Sequence, residues 1–294
     1  MNSAASHSDH DPPLAPGLYL VATPIGNLED ITLRALRILR SADRIACEDT
    51  RQTQKLLNHF GIATPTVSYH LHNESSRAEE LVAQLKQGSR IALVSDAGTP
   101  GIADPGHELV LTAIASGIPV FPVPGANAAV SALIASGLST ERFLFHGFLP
   151  AKEGQRRTAL EQLPRGQSTH IFYEAPHRIL DTLSDLEAVF GPQQPVVIGR
   201  ELTKLHEEFL RGPVSQIRQQ LADRASIRGE IVLLFSPSRR ETTIATRSIA
   251  ADVAALMQSE ALSEKDALKR VARERGIGKS DAYRELQREQ SRKR

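Results

Sequence analysis

The chain has 294 residues, 40% of them apolar, and a net charge of +1 from 35 basic against 34 acidic side chains, a length that suggests two domains at about 150 residues each. Aromatics make up 4% with no Trp, which argues against a face that stacks bases on rows of rings, and the single Cys47 excludes an intramolecular disulfide or a cysteine-based zinc cage. No stretch approaches the roughly 20 apolar residues of a membrane span, so a soluble, cytoplasmic protein with no membrane partner is expected.

Residues 1–16 are polar and Pro-rich, without the basic and apolar regions of a signal peptide, and read as a disordered tail. The run 18–23 predicts a buried strand, and 30–41 a helix with Ile31, Leu33, Leu36 and Leu39 at helical spacing. A strand at 43–48 places Cys47 as a small buried hydrophobe. A helix over 50–60 ends at Gly61, a short strand follows at 67–70, and a helix at 73–87 starts on Asn73 as N-cap. A strand at 90–95, a loop at 96–105, a helix to about 116 and a strand at 119–123 close this half. Apolar strands alternating with helices predict a parallel sheet covered on both faces.

Pro122-Val123-Pro124-Gly125 marks a hinge, beyond which the pattern restarts. A small-residue helix at 126–136 precedes a strand at 143–146, a basic loop at 150–157, a strand at 169–173 and a helix at 176–190. Strands at 195–201, 207–212 and 229–235 follow; the first two leave no room for a crossover helix, so part of this second sheet is expected to be antiparallel. After a linker at 236–244, residues 248–294 are helical in pattern, with helices at 263–275 and 281–289 about a turn at 276–278, the spacing of a helix-turn-helix-like unit. From Lys265 onward eleven Lys or Arg stand against five Asp or Glu, which suits a phosphate backbone and equally a solvated terminal pair. The expected division is a tail at 1–16, an N-terminal α/β domain at 17–124, a C-terminal α/β domain at 125–236 and a linker with a helical extension at 237–294.

In open α/β sheets, ligands sit outside the carboxyl ends of the strands. Two such ends are glycine-rich, TPIGNL at 23–28 and SDAGTPGI at 95–102, so a ligand can approach the backbone closely. Neither carries the dinucleotide or P-loop phosphate pattern. Asp96 suits a cationic or hydroxyl-bearing small ligand, or equally a cap or turn. His70 and His72 lack the spacing that completes a metal site, and no metal is expected.

At these residues the chain resembles a known family. LYLVATPIGNL (18–28), ACEDTR (46–51), SDAGTPGIADPG (95–106), VPGANA (123–128), GFLPAK (147–152), FYEAPHR (172–178), RELTK (200–204) and GEIVLLF (229–235) occur in order. Together they resemble the tetrapyrrole-methylase superfamily, and within it the branch of small-subunit ribosomal RNA 2′-O-ribose methyltransferases acting on a cytidine of the decoding centre. The resemblance implies a two-domain tetrapyrrole-methylase-like α/β fold, with a parallel N-terminal sheet, a mixed C-terminal sheet and a helical extension. It also implies a homodimer, with S-adenosylmethionine in the interdomain cleft. By position the cofactor would touch Pro24, Ile25, Asp96, Gly98, Thr99 and Ile102 from the first domain. From the second it would touch Asn127, Ala128, Tyr173, Gly229, Glu230 and Ile231.

Methylating a ribose hydroxyl requires alignment of the acceptor with the methyl group, and a general base adds on the order of 10²–10⁴-fold. Glu48, Asp49 and Glu174 follow strands that could face the cleft; each could instead be a structural partner of Arg51, Arg178 or Arg200. Glu48 and Asp49 with Arg51 form one cluster and Glu174 with Arg178 another, one serving chemistry and the other holding the nucleotide. Lys152, Arg156, Arg157 and Lys204, with Arg51 and Arg178, are the expected contacts to the partner, small-subunit ribosomal RNA or the assembled subunit; reaching the ribose can require a displaced nucleotide. The rival readings are a precorrin-type methylase, against which the basic 152–157 segment and the RNA-branch strings weigh, and a non-catalytic RNA-binding assembly factor.

Overall fold

The computed structural model describes residues 13–70, 73–166, 168–237, 248–260, 262–274 and 278–291. Most of the expected tail at 1–16, His72, most of the expected linker at 236–244, Arg275 at the end of an expected helix and the turn residues 276–277 lie outside them. The chain divides into two compact units, 1–237 and 238–294.

The first half of the larger unit runs β1 (Gly17–Val21), α1 (Leu33–Ser41), β2 (Arg44–Cys47), α2 (Thr50–His59), β3 (Thr66–Ser68), α3 (Glu74–Lys86), β4 (Arg90–Val94), α4 (His107–Ala115) and β5 (Val120–Val123). The strands form a sheet of order β3-β2-β4-β1-β5 in which every pairing is parallel. Alternation along a strand sends neighbours to opposite faces: Leu18 enters the core under α3 and α4, whereas Tyr19 and Val21 enter the one under α1 and α2. Helix starts are fixed by side chains, Thr32 accepting from the Ala35 amide at 3.0 Å and Asp49 from the Arg51 amide at 2.8 Å. Asn73 flanks α3 without capping it; its side-chain oxygen instead accepts from the His70 amide.

The second half continues with α5 (Ala128–Ser136), β6 (Phe143–Phe148), α6 (Glu153–Glu161), β7 (Thr169–Glu174), α7 (Ile179–Phe190), β8 (Pro195–Arg200), β9 (Glu208–Pro213), α8 (Val214–Ala222) and β10 (Ile231–Phe235). Sheet order is β6-β7-β10-β8-β9, parallel only between β6 and β7, so the sheet is mixed. In β10, Ile231, Leu233 and Phe235 face α6, α7 and α8, while Val232 and Leu234 face α5 and Ile25 from the first half. Two local expectations need correction. The segment read as a basic loop at 150–157 is a helix from Glu153 onward, obscured in the sequence because Arg156 and Leu160 alone supply its buried face. Residues 214–222, which carry no expected element, form helix α8, with Val214, Ile217 and Leu221 burying one side of it.

The smaller unit contains α9 (Ile249–Glu260), α10 (Glu264–Glu274) and α11 (Lys279–Ser291), which share a core of Ile249, Val253, Leu268, Val271 and Leu286. The Glu289 carboxylate accepts from the amides of Ile249 and Ala250, tying the last helix to the start of the first. No helix among the described residues is long and apolar enough to cross a membrane.

Candidate active site

The parallel topology brings the carboxyl ends of β1, β2 and β4 to one edge of the first sheet. Beyond that edge the loops after β1 and β4 bond to one another: the Thr23 amide donates to the Gly98 carbonyl at 2.9 Å and the Gly98 amide returns to Thr23 at 3.0 Å. The Thr23 hydroxyl donates to the Ser95 carbonyl at 3.1 Å. Gly98 has φ +89°, a left-handed backbone that favours glycine, and an added Cβ would sit 3.2 Å from the Ile25 side chain. The floor continues into the second half. Thr99 donates to the Ala126 carbonyl at 3.1 Å, and the Asn127 side chain donates to Thr99 at 3.3 Å while capping α5.

The facing wall comes from the second sheet. Antiparallel register sets Glu174, at the end of β7, opposite Ile231, at the start of β10, so these two ends share one edge. Tyr173, Ile231 and Val232 line that wall, joined by Phe148 from β6 and Leu202 from the loop after β8. Between the walls lies a cavity of about 450 Å³, within the range of small-molecule sites.

Ten of the twelve expected cofactor residues line this cavity: Ile25, Asp96, Gly98, Thr99 and Ile102 on one side, and Asn127, Ala128, Tyr173, Glu230 and Ile231 on the other. Pro24 and Gly229 stand beside lining residues without lining it. Gly229 has φ +90° and packs so closely on Glu201 that a Cβ would fall 2.3 Å from that side chain. Asp104, Phe148 and Leu202 were not among the expected residues; they lie inside the strings SDAGTPGIADPG, GFLPAK and RELTK, but only folding turns them inward.

The lining carries five carboxylates, Glu48, Asp96, Asp104, Glu174 and Glu230, and among the described residues no Lys, Arg or His. These acids are not equivalent. Glu174 is fully buried, with one oxygen accepting from Thr182 at 2.7 Å and the other from the Ala175 amide at 2.9 Å, and with Arg178 3.4 Å away. Asp49 lies outside the lining. Its two oxygens accept from the Arg51 guanidinium at 3.1 and 2.9 Å, which holds its carboxyl down at about 2. Asp96 accepts from the Asp49 amide at 3.1 Å and so joins the β4 loop to the β2 loop. Asp104 is pushed up to about 6 by burial, with Glu48 as the largest charge effect. Glu48 is also raised, again by burial first, with Asp96 and Asp49 adding to it and His70 opposing.

Of the six basic residues expected to meet RNA, Arg51, Lys152 and Arg157 are exposed, although Arg157 also pairs with buried Asp185 at 2.6 Å and with Glu153 at 2.8 Å. The other three are engaged internally. Arg156 is 4% exposed and pairs with buried Asp185 at 2.6 Å, because it lies on the inner face of α6. Arg178 donates to the carbonyls of Leu149 and Pro150 at 2.7 and 3.2 Å, pinning the segment after β6. Lys204 lies across Gly26, and its ammonium is held by Glu201 at 2.8 Å and Glu230 at 3.1 Å. Arg200 pairs with Glu208 rather than with any of the candidate acids.

Residues 17–218 match the family described as Tetrapyrrole (Corrin/Porphyrin) Methylases. The chain belongs to this family. It is 51% identical over 275 residues to a protein of Halalkalibacterium halodurans named ribosomal RNA small subunit methyltransferase I, covering 90% of this chain and 93% of that one. Proteins of the same name in Synechocystis and Bacillus subtilis are each 45% identical, and the matches cover 90% of this chain and 95% and 92% of theirs. Among solved structures, uroporphyrin-III-C-methyltransferase from Thermus thermophilus superposes with a TM-score of 0.54 at 22% identity, over 76% of this chain and 94% of that one. Diphthine synthase does so with a TM-score of 0.56 at 15% identity, over 74% and 89%. These structural likenesses concern the fold.

Proposed function

We propose that the protein methylates the ribose 2′-hydroxyl of a cytidine in the decoding centre of small-subunit ribosomal RNA, using S-adenosylmethionine. As a member of its family it is a methyltransferase with that cofactor. The observation that carries the reading is the charge of the cavity: several carboxylates, and no cationic side chain among the described lining residues, face a space of about 450 Å³. Such a lining favours a ligand bearing cationic centres and repels phosphates. S-adenosylmethionine meets that requirement through its sulfonium and ammonium groups. When bound, it supplies a methyl carbon on positively charged sulfur.

Asp96 and Glu230 are suited to its cationic end, and Ile25, Ile231 and Tyr173 offer apolar and aromatic surface to its adenosine. The near-absence of gaps beside Gly98 and Gly229 keeps both turns in register with that surface. Apolar walls exclude water from the reacting oxygen, and a fixed acceptor position can contribute roughly 7–11 kcal/mol to the rate. Outside the cavity, exposed Arg51, Lys152 and Arg157 supply phosphate contacts, and the basic C-terminal sequence supplies more. Exposed Val130 and Ile134 on α5, with Leu205, support pairing with a second copy of the chain, and the protein works in the cytoplasm. The boundaries 17–124 and 125–236 describe two domains that share the cleft.

The test is transfer of labelled methyl from S-adenosylmethionine to purified small ribosomal subunits from cells lacking this protein, followed by nucleoside analysis. Label in 2′-O-methylcytidine is expected. Label only in a tetrapyrrole, or none in RNA or subunits by a protein that binds the cofactor, sinks the proposal.

A further inference from the structure

The large apolar side chains that line the cavity fall into two groups. Ile25, Leu202, Ile231 and Val232 are buried and Tyr173 is half-buried. Ile102 on one wall and Phe148 on the other stay open to solvent, Phe148 by 56%. The buried group is the surface offered to the adenosine; Phe148 is a flat ring at the mouth, outside it.

The fold puts that ring there by a local device. Side chains alternate along a strand. Phe145 lies on the α5 side of the second sheet with Ile171 and Tyr173, whereas His146 stacks on Phe172, which belongs to the opposite core. Strict alternation from Phe145 would bring Gly147 back to the α5 side and send Phe148 to the opposite core. Instead the register between β6 and β7 shifts, with Phe145 opposite Ile171 and Phe148 opposite Tyr173. Gly147 takes up the extra residue at φ +66°, a bulge of the kind that re-aims a side chain. Phe148 thereby returns to the face of Tyr173, and the two rings meet edge-on with centroids 5.9 Å apart. Just beyond the ring, Arg178 donates to the Leu149 and Pro150 carbonyls, so the backbone is held on both sides of it.

The chemistry of the acceptor says what meets this ring. A ribose 2′-hydroxyl sits on the carbon next to the one that bears the base, so the base must lie close by when that oxygen reaches the methyl carbon. The flanking phosphates are repelled by the carboxylates of the lining. The base is the part of the nucleotide with apolar faces, and once taken out of its own stack it gains from a new aromatic partner.

We propose that Phe148 stacks on the base of the acceptor nucleotide and so positions its ribose for methyl transfer, an inference that rests on the ribose-methyltransferase reading. One exposed ring suits one displaced base, in keeping with a chain too poor in aromatics to stack a row of them. The stack forms only when the nucleotide enters the mouth, so it contributes to capture and alignment of the substrate and not to cofactor affinity.

The experiment uses the full chain and makes three measurements on Phe148→Ala. These are cofactor affinity by calorimetry, single-turnover methylation of small subunits with saturating cofactor, and oligomeric state by sedimentation. Loss of one base–aromatic stack should lower the ratio of maximal rate to half-saturating subunit concentration by roughly 5- to 100-fold. Cofactor affinity and sedimentation should stay at their wild-type values. Phe148→Tyr and Phe148→Trp keep a flat ring and should restore most of the rate; Phe148→Leu is apolar without being flat and should not, which separates stacking from bulk. A Phe148→Ala rate equal to wild type, or equal rates in Phe148→Leu and Phe148→Tyr, overturns the proposal. A parallel fall in cofactor affinity gives the ring to the adenosine, and altered sedimentation gives it to a contact between copies; either result overturns it too. If Phe148→Ala does not fold, the comparison of Phe148→Leu with Phe148→Tyr carries the test. Absence of ribose methylation by wild type defeats the underlying reading instead, a result the Phe148 variants do not mimic.

Discussion

Two acid–arginine clusters, each just after a strand, show how burial alone separates roles. After β2, Asp49 and Arg51 meet two residues apart on the surface, the Arg51 side chain being 87% exposed. After β7, Glu174 and Arg178 meet four residues apart with the Glu174 side chain at 0% exposure. The first pair is screened by water and salt, so Arg51 can exchange its partner for a phosphate at little cost. The second has no such freedom. Glu174 and Arg178 are bound into Thr182, the Ala175 amide and the carbonyls of Leu149 and Pro150, and together they hold the segment carrying Phe148 beside the cavity. One cluster is available to a partner; the other is part of the wall.

The largest test of that contrast is thermodynamic. Glu174→Ala leaves Arg178 without its acid in a buried setting and should cost about 3–5 kcal/mol by urea unfolding, whereas Asp49→Ala should cost far less. Equal losses would remove the distinction. Next in size, Arg51→Glu should raise KM for small subunits about tenfold at low salt and progressively less as salt is added, with the unfolding midpoint nearly unchanged. A KM shift that ignores salt would show that Arg51 does not meet phosphate.

The join between the β2 loop and the cavity can be tested through Asp96. Asp96→Ala removes the acceptor of the Asp49 amide and one carboxylate from the lining. Cofactor affinity measured by calorimetry should fall by about tenfold; unchanged affinity would remove Asp96 from the binding set. The smallest effect is a titration. The Asp49 carboxyl should titrate at about 2 because Arg51 hydrogen-bonds to it, and should return toward an ordinary aspartate value in Arg51→Ala. Since the folded value lies below the unfolded one, the pair's stabilisation is complete above the ordinary aspartate range and is lost as pH falls through about 2. A midpoint that does not move in Arg51→Ala would mean the guanidinium is not its partner.

Much of the fold was legible in the sequence because its signals are local. Apolar strand runs and the helical spacing of Ile31, Leu33, Leu36 and Leu39 act within a few residues of themselves, whereas the caps at Thr32 and Asp49 went unread and the cap expected at Asn73 does not form. The lack of room between the strands at 195–201 and 207–212 likewise showed that the second sheet could not be wholly parallel. Helix α6 was obscured because one of its inward residues is an arginine, whose burial depends on Asp185, 29 positions away. The glycine-rich turn at Gly98 announced close approach, but only folding showed that its neighbour is Ile25.

By itself, the sequence determined the alternation of elements, the family strings and most of the residues that line the cleft, since each of these is carried by contiguous residues at strand ends. Only the tertiary structure decided which charges are spent and which are free. Arg156, Arg178 and Lys204 look like Arg51 on paper, yet Asp185, the carbonyls of Leu149 and Pro150, and Glu230, each brought from elsewhere in the fold, hold them. Asp104 looks like an ordinary turn residue until burial and the approach of Glu48 raise its proton affinity. The reason is physical: covalent chemistry fixes a side chain's charge, but its desolvation and its partners come from residues distant in the chain.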